Sequence, residues 1–585
     1  MSSFTRSSLC WLAAGPTAVA LTAGLPAWAQ HAAGNHHGHE AAAAASDNAC
    51  NNPSVEAALR NKEAALLGAR HADEHARARS RKCRVAAGRD SVGKPDPATL
   101  AKARSQPASA VGQWSAPIRV PVVGVTAVLL HTGKVLFWSY DPASYYVVSQ
   151  SNRGVAYLWD PATHTGQSIA PPENIWCGGQ TILADGRVYV AGGNLRYPDP
   201  HAPSGTTGWQ GAFTSYTFNP ANNRWVAQPN MSVGRWYPTT TKLVDNRVVI
   251  TSGFDQTGSN TLTPKVSLFT PHADPNGVGT MSEISPHDPS GFYPFQFVLP
   301  DGQMLQAGPG SGNSYLLQPG AWTWNRYPTL LAAHFGYGNG ISYTDASGTT
   351  LRQTVMLAGG TQGSAVTSDN EYMDGFNPAA GWRKFPNWLH ARRNGHTVIL
   401  ADGTLFTMGG NASGADLYDQ PVFHAELYAR QPTDVGGSWA AAAPHTIQAA
   451  YHSSGILLPD GRVLLTSDDL GPAAHNQVQI YSPPYLFKSQ RPRITNAPAT
   501  VAPGQTFTLG TDTGNISAVM LIAPGATTHA NDMHQRAVRL RQNGKGSSLS
   551  VTLPAQAGLI PPGYYMLFAV DGKGVPSVAR FVRVT

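Results

Sequence analysis

Four places in this sequence carry side chains suited to metal binding or redox chemistry, namely a thiol, phenols and imidazoles. The residues are Cys177 in NIWCGG, Tyr237 in GRWYPTTT, Tyr451 and His452 in AAYHSSG, and His529 in GATTHANDMHQR. Imidazole is the commonest metal ligand in proteins, and a thiolate can also bind a metal or react. Taken singly, each side chain is more typical of packing, because a lone Tyr, Cys or His is usually structural.

A repeat supplies the elements that must position these residues. A phrase of apolar residues, a tight turn and further apolar residues occurs seven times between Val128 and Ser467. The turns are separated by 53, 60, 56, 46, 55 and 58 residues and centre on Gly133, Gly186, Asn246, Gly302, Gly348, Gly403 and Gly461. Units of strand, turn and strand with a period of about 50 residues are typical of a kelch-type β-propeller. The sequence predicts an all-β, seven-bladed propeller over residues 112–486.

The repeat gives the candidate residues related positions. Cys177, Tyr237 and Tyr451 lie 9, 9 and 10 residues before the turn of their own copy. Blades of a propeller surround a common axis, so side chains at equivalent positions of different blades can meet there. We therefore expect these three residues to project onto one end of the axis.

Composition and patterning indicate two further regions. Gly (60) and Pro (45) are abundant and only 13% of the 585 residues are charged, which argues against long helical bundles. Short alternating segments over 487–585 predict an immunoglobulin-like β-sandwich. Residues 50–105 predict a small helical hairpin.

The N-terminus has the pattern of a secretory signal peptide over 1–29. Arg6 precedes a mostly apolar run at 9–25, and a small-x-small site at 27–29 predicts cleavage after Ala29. We expect a secreted, periplasmic or extracellular protein, with retention of the segment as an anchor as the alternative. Residues 30–49 are rich in His and Ala and predict a disordered linker.

The cysteine count supports an oxidising compartment. Of four cysteines, Cys10 lies in the signal segment, and Cys50 and Cys83 can pair to close a hairpin too small to hold a core alone. Cys177 is then an odd thiol in an exported protein. The alternative for Cys177 is a buried thiol that packs as a small hydrophobic side chain.

Positive charge is concentrated before the repeats. Residues 50–110 contain 12 Lys or Arg and 6 Asp or Glu, whereas the whole chain has a net charge of +7. This segment could contact an acidic surface, although a solvated charged face is the simpler interpretation. No segment resembles a nucleic-acid-binding module, so we expect no nucleic-acid partner. The sequence gives no firm evidence for a membrane partner, and we expect a monomer.

On its motifs the chain resembles the galactose oxidase / glyoxal oxidase family of mononuclear copper-radical oxidases. The resemblance covers the predicted propeller and C-terminal domain, about 470 residues. It implies a thioether between Cys177 in WCGG and Tyr237 in GRWYP, whose phenol binds copper and stores a radical. It further implies that Tyr451, His452 and His529 are copper ligands, with Tyr451 as the axial ligand.

The resemblance implies a two-electron oxidation of a small aldehyde or primary alcohol, with O2 reduced to H2O2. Two imidazoles and two phenol oxygens suit Cu(II), which prefers N and O ligands. One copper ion exchanges one electron, so a second one-electron store is needed. The thioether-linked Tyr237 would be that store, and the link would account for the odd Cys177, while Tyr451 would accept the proton of the substrate.

Two departures from galactose oxidase bear on the substrate. Where that enzyme has a Trp stacked over the cross-link, the segment at 252–255 contains Phe254, which we expect to supply a ring beside the cofactor. Pro294 lies near the position of the sugar-contacting Arg. The chain is therefore closer to the glyoxal oxidase branch, and we expect small aldehydes, their hydrates or simple primary alcohols, with glycan end-groups as a further option.

Two other functions fit parts of the sequence. A propeller followed by a sandwich also serves as a non-catalytic module that binds carbohydrate or protein, because a fold alone does not define a function. The chain could instead handle copper in the periplasm through the imidazoles of the linker, which are His31, His36, His37 and His39. A binding module has no need for the five candidate residues together, and this favours the oxidase.

Overall fold

The structure is a computed structural model that describes residues 50, 52–67, 69–141, 152–197, 208–287, 291–309, 312–332, 334, 337–472, 475–544 and 546–585. The signal peptide expected at 1–29 and the linker expected at 30–49 lie outside the described residues. The described part of the chain belongs to a single contact unit, Asp47–Thr585. None of the helices in these ranges combines the length and the apolar character needed to cross a membrane.

The N-terminal region is helical, as predicted. Its helices are α1 (Pro53–Leu67), α2 (Ala69–Ala86), α3 (Pro97–Arg104) and α4 (Ala108–Val111). Helix α3 begins after Asp96, whose carboxylate accepts hydrogen bonds from the backbone N–H groups of Ala98 and Thr99. The predicted Cys50–Cys83 disulfide is confirmed and closes the hairpin of α1 and α2.

The rest of the described chain consists mainly of short strands. Up to residue 482 they are β1 (Gln113–Trp114), β2 (Ile118–Arg119), β3 (Thr126–Leu129), β4 (Val135–Ser139), β5 (Val155–Asp160), β6 (Thr165–Ser168), β7 (Gly179–Ile182), β8 (Val188–Ala191), β9 (Asn194–Arg196), β10 (Gln210–Gly211), β11 (Ser215–Asn219), β12 (Arg224–Gln228), β13 (Thr239–Lys242), β14 (Val248–Thr251), β15 (Val266–Thr270), β16 (Thr280–Ile284), β17 (Phe295–Val298), β18 (Met304–Ala307), β19 (Ser314–Gln318), β20 (Thr323–Tyr327), β21 (Asn339–Asp345), β22 (Arg352–Ala358), β23 (Thr361–Gln362), β24 (Ala365–Val366), β25 (Asn370–Asp374), β26 (Arg383–Phe385), β27 (Arg393–Ile399), β28 (Leu405–Asn411), β29 (Ala425–Tyr428), β30 (Trp439–Ala442), β31 (Gly455–Leu457), β32 (Val463–Thr466) and β33 (Gln477–Ser482). The all-β prediction is therefore confirmed.

These strands form a succession of antiparallel sheets, one for each copy of the repeat. In order of pairing, the first six sheets contain β3-β4-β5-β6, β7-β8-β11-β12, β13-β14-β15-β16, β17-β18-β19-β20, β21-β22-β25-β26 and β27-β28-β29-β30. The seventh contains β31-β32-β33, and both β1 and β2 pair with β33. The end of this region is thus joined to its beginning by hydrogen bonds.

The repeated turn connects the first two strands of each sheet. Five of the turn glycines have φ between 81° and 88°, a left-handed conformation that glycine adopts without steric cost: Gly133, Gly186, Gly302, Gly403 and Gly461. The flanking apolar runs are buried along their whole length, as in β3 and β4, whereas the outer strand β6 is exposed throughout. The core therefore lies around the first two strands of the sheets.

The C-terminal region contains its own strands and core. They are β34 (Ile494–Asn496), β35 (Thr500–Val501), β36 (Thr506–Thr511), β37 (Ile516–Ile522), β38 (Ala526–Thr528), β39 (Asn531–Asp532), β40 (Arg536–Asn543), β41 (Ser548–Thr552), β42 (Gly563–Asp571) and β43 (Arg580–Val584). Strand β40 pairs in parallel with β21, and β38 pairs antiparallel with β3. The hairpin of β38 and β39 thus extends from this region to the first sheet of the repeat, and it carries His529.

Candidate metal centre

Six of the sheets are preceded, or begun, by a residue with left-handed backbone geometry. We call these the entry residues, and their φ values lie between 46° and 69°: Cys177, Tyr237, Tyr293, Tyr337, Asn394 and His452. A positive φ is unfavourable for residues other than glycine and costs about 1–3 kcal/mol, so surrounding contacts must hold it. Five of the entry residues lie nine residues before the turn residue of their copy. The counterpart of Cys177 and Tyr237 in the last sheet is therefore His452, and Tyr451 precedes that position by one residue.

Backbone hydrogen bonds link entry residues of neighbouring sheets. The N–H of Tyr237 donates to the carbonyl of Cys177 at 3.0 Å, and the N–H of Tyr293 donates to the carbonyl of Tyr237 at 3.0 Å. The N–H of Asn394 donates to the carbonyl of Tyr337 at 2.8 Å. These bonds hold the ends of adjacent sheets together and fix the direction in which the side chains leave the backbone.

The phenols of Tyr237 and Tyr451 meet in this region. Their oxygens lie 2.5 Å apart and share a hydrogen bond, and both side chains are buried. Burial raises the pKa of both phenols well above the ordinary value, because the phenolate would lose its hydration. Each oxygen therefore keeps its proton until a cation takes the place of that proton.

His452 offers one ring nitrogen to the same region. Its Nδ1 lies 2.8 Å from Oδ2 of Asp469, and its buried Nε2 has no hydrogen-bond partner among the described residues. A carboxylate can only accept a hydrogen bond, so the proton of the neutral ring is on Nδ1 and Nε2 has a free lone pair. Burial also lowers the pKa of His452, which favours this neutral form.

Thr528 favours the same tautomer in His529, with the ring proton on Nδ1. The hydroxyl of Thr528 donates to the carbonyl of Val125 at 3.2 Å and accepts a bond from Thr126 Oγ1 at 3.0 Å. With its one proton on that carbonyl, Thr528 accepts the contact of 2.8 Å from Nδ1 of His529, and we assign the ring proton to Nδ1. Nε2 of His529 then carries the lone pair, which faces the thiol of Cys177 at 3.9 Å. Burial lowers the pKa of the ring well below the ordinary value.

The four ligands predicted from the sequence are brought together. The ring centre of His529 lies 4.6 Å from that of Tyr237, 5.4 Å from that of Tyr451 and 4.8 Å from that of His452. They come from two sheets of the repeat and from the β38–β39 hairpin. All four side chains are at most 5% exposed.

This set of atoms fits a copper ion. Two neutral imidazoles and two phenols that can lose their protons give two N and two O donors, which suit Cu(II). The unpartnered Nε2 of His452 is a buried polar atom that only a ligand would satisfy. In the ranges that the structure describes, no group of three or more His, Cys, Asp or Glu is arranged to hold a metal.

Cys177 lies beside this set as a buried free thiol. Its Sγ is 3.9 Å from Nε2 of His529. The Cys177 carbonyl accepts a hydrogen bond from the N–H of Tyr237 at 3.0 Å, and both side chains lie in one buried cluster. Burial raises the pKa of the thiol well above the ordinary value. The predicted neighbours Cys177 and Tyr237 are therefore adjacent, while the thioether stays a prediction.

The ring stacked on Tyr237 is Trp236. Their ring centres are 3.8 Å apart with an angle of 13° between the planes, and Tyr293 also stacks on Tyr237, at 4.6 Å. Phe254, expected to be the ring beside the cofactor, stacks on Trp236 at 5.7 Å. Phe254 is thus one ring farther from the phenol than Trp236. The sequence analysis missed Trp236 although it is the direct neighbour of Tyr237.

The helical hairpin also reaches the site, which the sequence analysis did not anticipate. Lys82 of α2 places its Nζ 2.6 Å from Oδ2 of Asp469, the carboxylate that holds His452. Burial opposes the ionisation of Asp469, but the hydrogen bond from His452 together with the charge and hydrogen bond of Lys82 outweigh it and hold the pKa of the carboxyl far below its ordinary value. Asp469 is therefore an anion at neutral pH.

Two family models match the chain. Residues 154–482 match the glyoxal oxidase N-terminus, and residues 491–584 match the galactose oxidase-like early set domain. The two matches include all five candidate residues, because Cys177, Tyr237, Tyr451 and His452 lie in the first and His529 lies in the second.

Individual relatives agree with this assignment. A galactose oxidase of Gibberella zeae is 28% identical over 530 residues, which cover 83% of this chain and 72% of that protein. The aldehyde oxidase GLOX of Vitis pseudoreticulata is 25% identical over 495 residues, which cover 76% of this chain and 88% of that protein. A solved fungal alcohol oxidase of the AA5 family, in complex with copper, has the same propeller-like fold, with a TM-score of 0.67 and 24% identity over 81% of this chain and all of that one. The chain therefore belongs to the galactose oxidase / glyoxal oxidase family of copper-radical oxidases.

Proposed function

We propose that this protein oxidises a small aldehyde or primary alcohol by two electrons and passes them to O2, which yields H2O2. The observation that carries the proposal is the convergence of two phenol oxygens, 2.5 Å apart, with two histidines whose Nε2 atoms carry lone pairs. Tyr237, Tyr451, His452 and His529 would hold one copper ion. When bound, copper would supply a one-electron redox couple and a positive charge that acidifies a ligated hydroxyl group.

Tyr237 would be the second one-electron store. The proposed cofactor forms when the S–H of Cys177 and one ring C–H of Tyr237 are lost and a C–S bond replaces them, with O2 accepting the two electrons and two protons. The adjacency of Cys177 and Tyr237 in one buried cluster supports this step. The oxidised Tyr237 would then take a hydrogen atom from the carbon of the substrate.

Tyr451 would handle the proton. Burial raises the pKa of its phenol, so its anion is strongly basic once formed and can take the hydroxyl proton of an alcohol or an aldehyde hydrate. The proton that Tyr451 takes from the hydroxyl group and the hydrogen atom that Tyr237 takes from carbon together account for the two hydrogens that leave the substrate. Reduction of O2 to H2O2 consumes the two electrons and two protons.

The surroundings of the phenols favour a small substrate. Tyr237 and Tyr451 are 2% and 5% exposed, so a bulky sugar ring would have to displace protein atoms to reach them. Residues 154–482 match the glyoxal oxidase N-terminus, and Pro294 offers no charged or hydrogen-bonding side chain to a sugar. We therefore propose small aldehydes as hydrates, or simple primary alcohols, ahead of galactose and other glycan end-groups.

The proposal includes the arrangement of the chain. The seven sheets would be the blades of a propeller over 112–486, and the C-terminal strands would form an immunoglobulin-like sandwich over 487–585. The Cys50–Cys83 disulfide supports export to an oxidising compartment. We propose that the protein acts there as a monomer.

Two measurements test the proposed activity. Intact mass of the protein loaded with copper in air should fall by the mass of two hydrogen atoms, and Cys177→Ser should not show this loss. A peroxide-coupled assay should respond to small aldehydes or primary alcohols with the wild type and not with Cys177→Ser. An unchanged wild-type mass, no peroxide and tight binding of a glycan would instead support a non-catalytic binding module.

A further inference from the structure

We propose that the N-terminal helical hairpin is part of the metal site, and that Lys82 is a positioning residue that acts on His452 through Asp469. The inference rests on the proposed function in one respect, which is that His452 holds copper. It assigns a role to α1 and α2, which lie outside both matched family models.

The contacts form a continuous chain of hydrogen bonds from the hairpin to the site. Lys82 Nζ donates to Oδ2 of Asp469 at 2.6 Å, and Nδ1 of His452 donates to the same oxygen at 2.8 Å. The side chains of Lys82 and Asp469 are completely buried. The positive charge of the hairpin is thus two hydrogen bonds from the ring that offers Nε2 to the metal.

Two phenols complete the surroundings of the carboxylate. Tyr140 OH donates to Oδ2 at 2.7 Å, and Tyr418 OH donates to Oδ1 at 2.5 Å. Four donors from four parts of the chain therefore fix the plane of Asp469. A fixed carboxylate in turn fixes the rotation of the His452 ring and hence the direction of its lone pair.

Attachment of the hairpin alone does not require this lysine. Ala78 and Val85 of α2 pack in one buried cluster with Leu417 and Leu470, and Tyr451 belongs to the same cluster. Arg81 forms ion pairs nearer the surface with Asp416 and Asp419, at 3.3 and 3.0 Å. Burial of an ammonium group is costly, and replacement of a whole buried ion pair by apolar side chains often leaves a fold as stable. The charge of Lys82 is therefore better explained by its effect on Asp469 and His452.

The expected effect follows from the charge balance on the carboxylate. Without the lysine, Asp469 attracts the Nδ1 proton of His452 more strongly, and the ring becomes a stronger donor to a metal. A stronger anionic donor favours Cu(II) over Cu(I). Lys82 therefore keeps Cu(I) accessible, as an oxidase that alternates between the two states requires.

The test uses the full chain and the metal itself. Lys82→Met should raise the ratio of Cu(II) to Cu(I) affinity by about tenfold or more, measured by competition with chelators. Its Cu(II) electron paramagnetic resonance spectrum should show altered copper and nitrogen hyperfine couplings. Arg81→Ala, on the same helix, is the matched control and should leave the spectrum and the ratio unchanged.

The outcomes separate this inference from the activity. A folded Lys82→Met protein with wild-type spectrum and affinity ratio overturns the inference. Should that variant not fold, Lys82→Gln, which keeps a donor for Asp469 without the charge, decides by the same two readouts. If copper binds through His452 but the protein makes no peroxide, the proposed oxidase activity is refuted and this inference remains supported. A wild-type protein whose copper signal does not depend on His452 would overturn both.

Discussion

Tyr237 and Tyr451 are 214 residues apart in the chain, and a hydrogen bond of 2.5 Å joins their phenol oxygens. The entry position before the third sheet supplies one phenol, and the residue just before the corresponding position of the seventh sheet supplies the other. No local element could bring these two oxygens together. The predictions below address the groups that surround this pair.

Removal of the ligand contributed by the C-terminal region should weaken copper binding. We expect His529→Ala to lower Cu(II) affinity by more than the roughly 10–100-fold that loss of an outer-shell partner costs. His534→Ala, in the same hairpin region, is the control, because the ring of His534 contacts the carbonyl of Pro524 instead of the site. Titration with Cu(II) measures both variants, and equal affinities would contradict the assignment of His529.

Thr528, which accepts from Nδ1 of His529 and fixes its tautomer, should affect copper affinity although it is not itself a proposed ligand. Thr528→Val keeps the shape of the side chain and removes the oxygen that accepts from Nδ1. We expect about a tenfold loss of Cu(II) affinity, since the ring is then free to place its proton on Nε2. Thr527→Val is the matched control, because Thr527 donates to the carbonyl of Gly455 instead. A loss that is the same in both variants would show that packing alone is responsible.

Trp236 should influence the oxidised form of Tyr237 more than Phe254 does. Stacked aromatic rings contribute about 0.5–1.5 kcal/mol, and Trp236 contacts Tyr237 directly whereas Phe254 contacts Trp236. We expect Trp236→Leu to shorten the lifetime of the radical and raise the potential needed to form it. Phe254→Leu should have a smaller effect on both, as followed by optical spectroscopy during redox titration.

The disulfide should stabilise the hairpin against local opening. Cys50 and Cys83 enclose a loop with a sequence separation of 33, for which chain entropy predicts about 3–4 kcal/mol. The double variant Cys50→Ala/Cys83→Ala should therefore expose α1 and α2 to hydrogen exchange much sooner than the sheets. Exchange rates in the hairpin equal to those of the wild type would contradict this expectation.

Glu63 should make the stability of the hairpin depend on pH. Burial opposes its ionisation, but Arg79 and His75 outweigh burial and lower the pKa of Glu63 from 4.5 to about 2. A carboxyl whose pKa is lower in the folded state stabilises the fold at any pH above the pKa that it has in the unfolded chain. This contribution is lost as the pH falls toward 2. At neutral pH, the wild-type hairpin should be better protected from hydrogen exchange than the hairpin of the Glu63→Gln variant. This difference should shrink as the pH falls from about 4.5 to 2.

Much of the site could be predicted from the sequence, because its residues occur at the same position in successive copies of the repeat. The interval of nine residues before the turn put Cys177 and Tyr237, already singled out for their chemistry, at equivalent positions. The same interval leads to Tyr293 and Asn394, which the sequence analysis did not name. Tyr337 breaks the interval because β21 ends eight residues after it, whereas β7, β13 and β17 each end five residues after their entry residue. The adjacent Tyr451 was named in the last copy, although its neighbour His452 has the entry conformation.

The residues that surround the site could not be predicted from the repeat. Lys82 lies in a basic stretch of α2, and no periodicity separates it from its charged neighbours Arg81 and Arg84. Its partner Asp469 follows a second aspartate in TSDDLG, and only the packing of the hairpin on the sheets decides which of the two meets the lysine. Such pairings depend on contacts between distant parts of the chain, which a single sequence does not report.

The antiparallel pairing of β38 with β3 has a consequence for biogenesis. Thr528 lies opposite Thr126, so the hairpin that carries His529 takes its place only after nearly the whole polypeptide has been synthesised. A chain that ends before β38 would lack one of the two imidazoles of the proposed centre. That centre would therefore be complete only once the C-terminal strands have joined the first sheet.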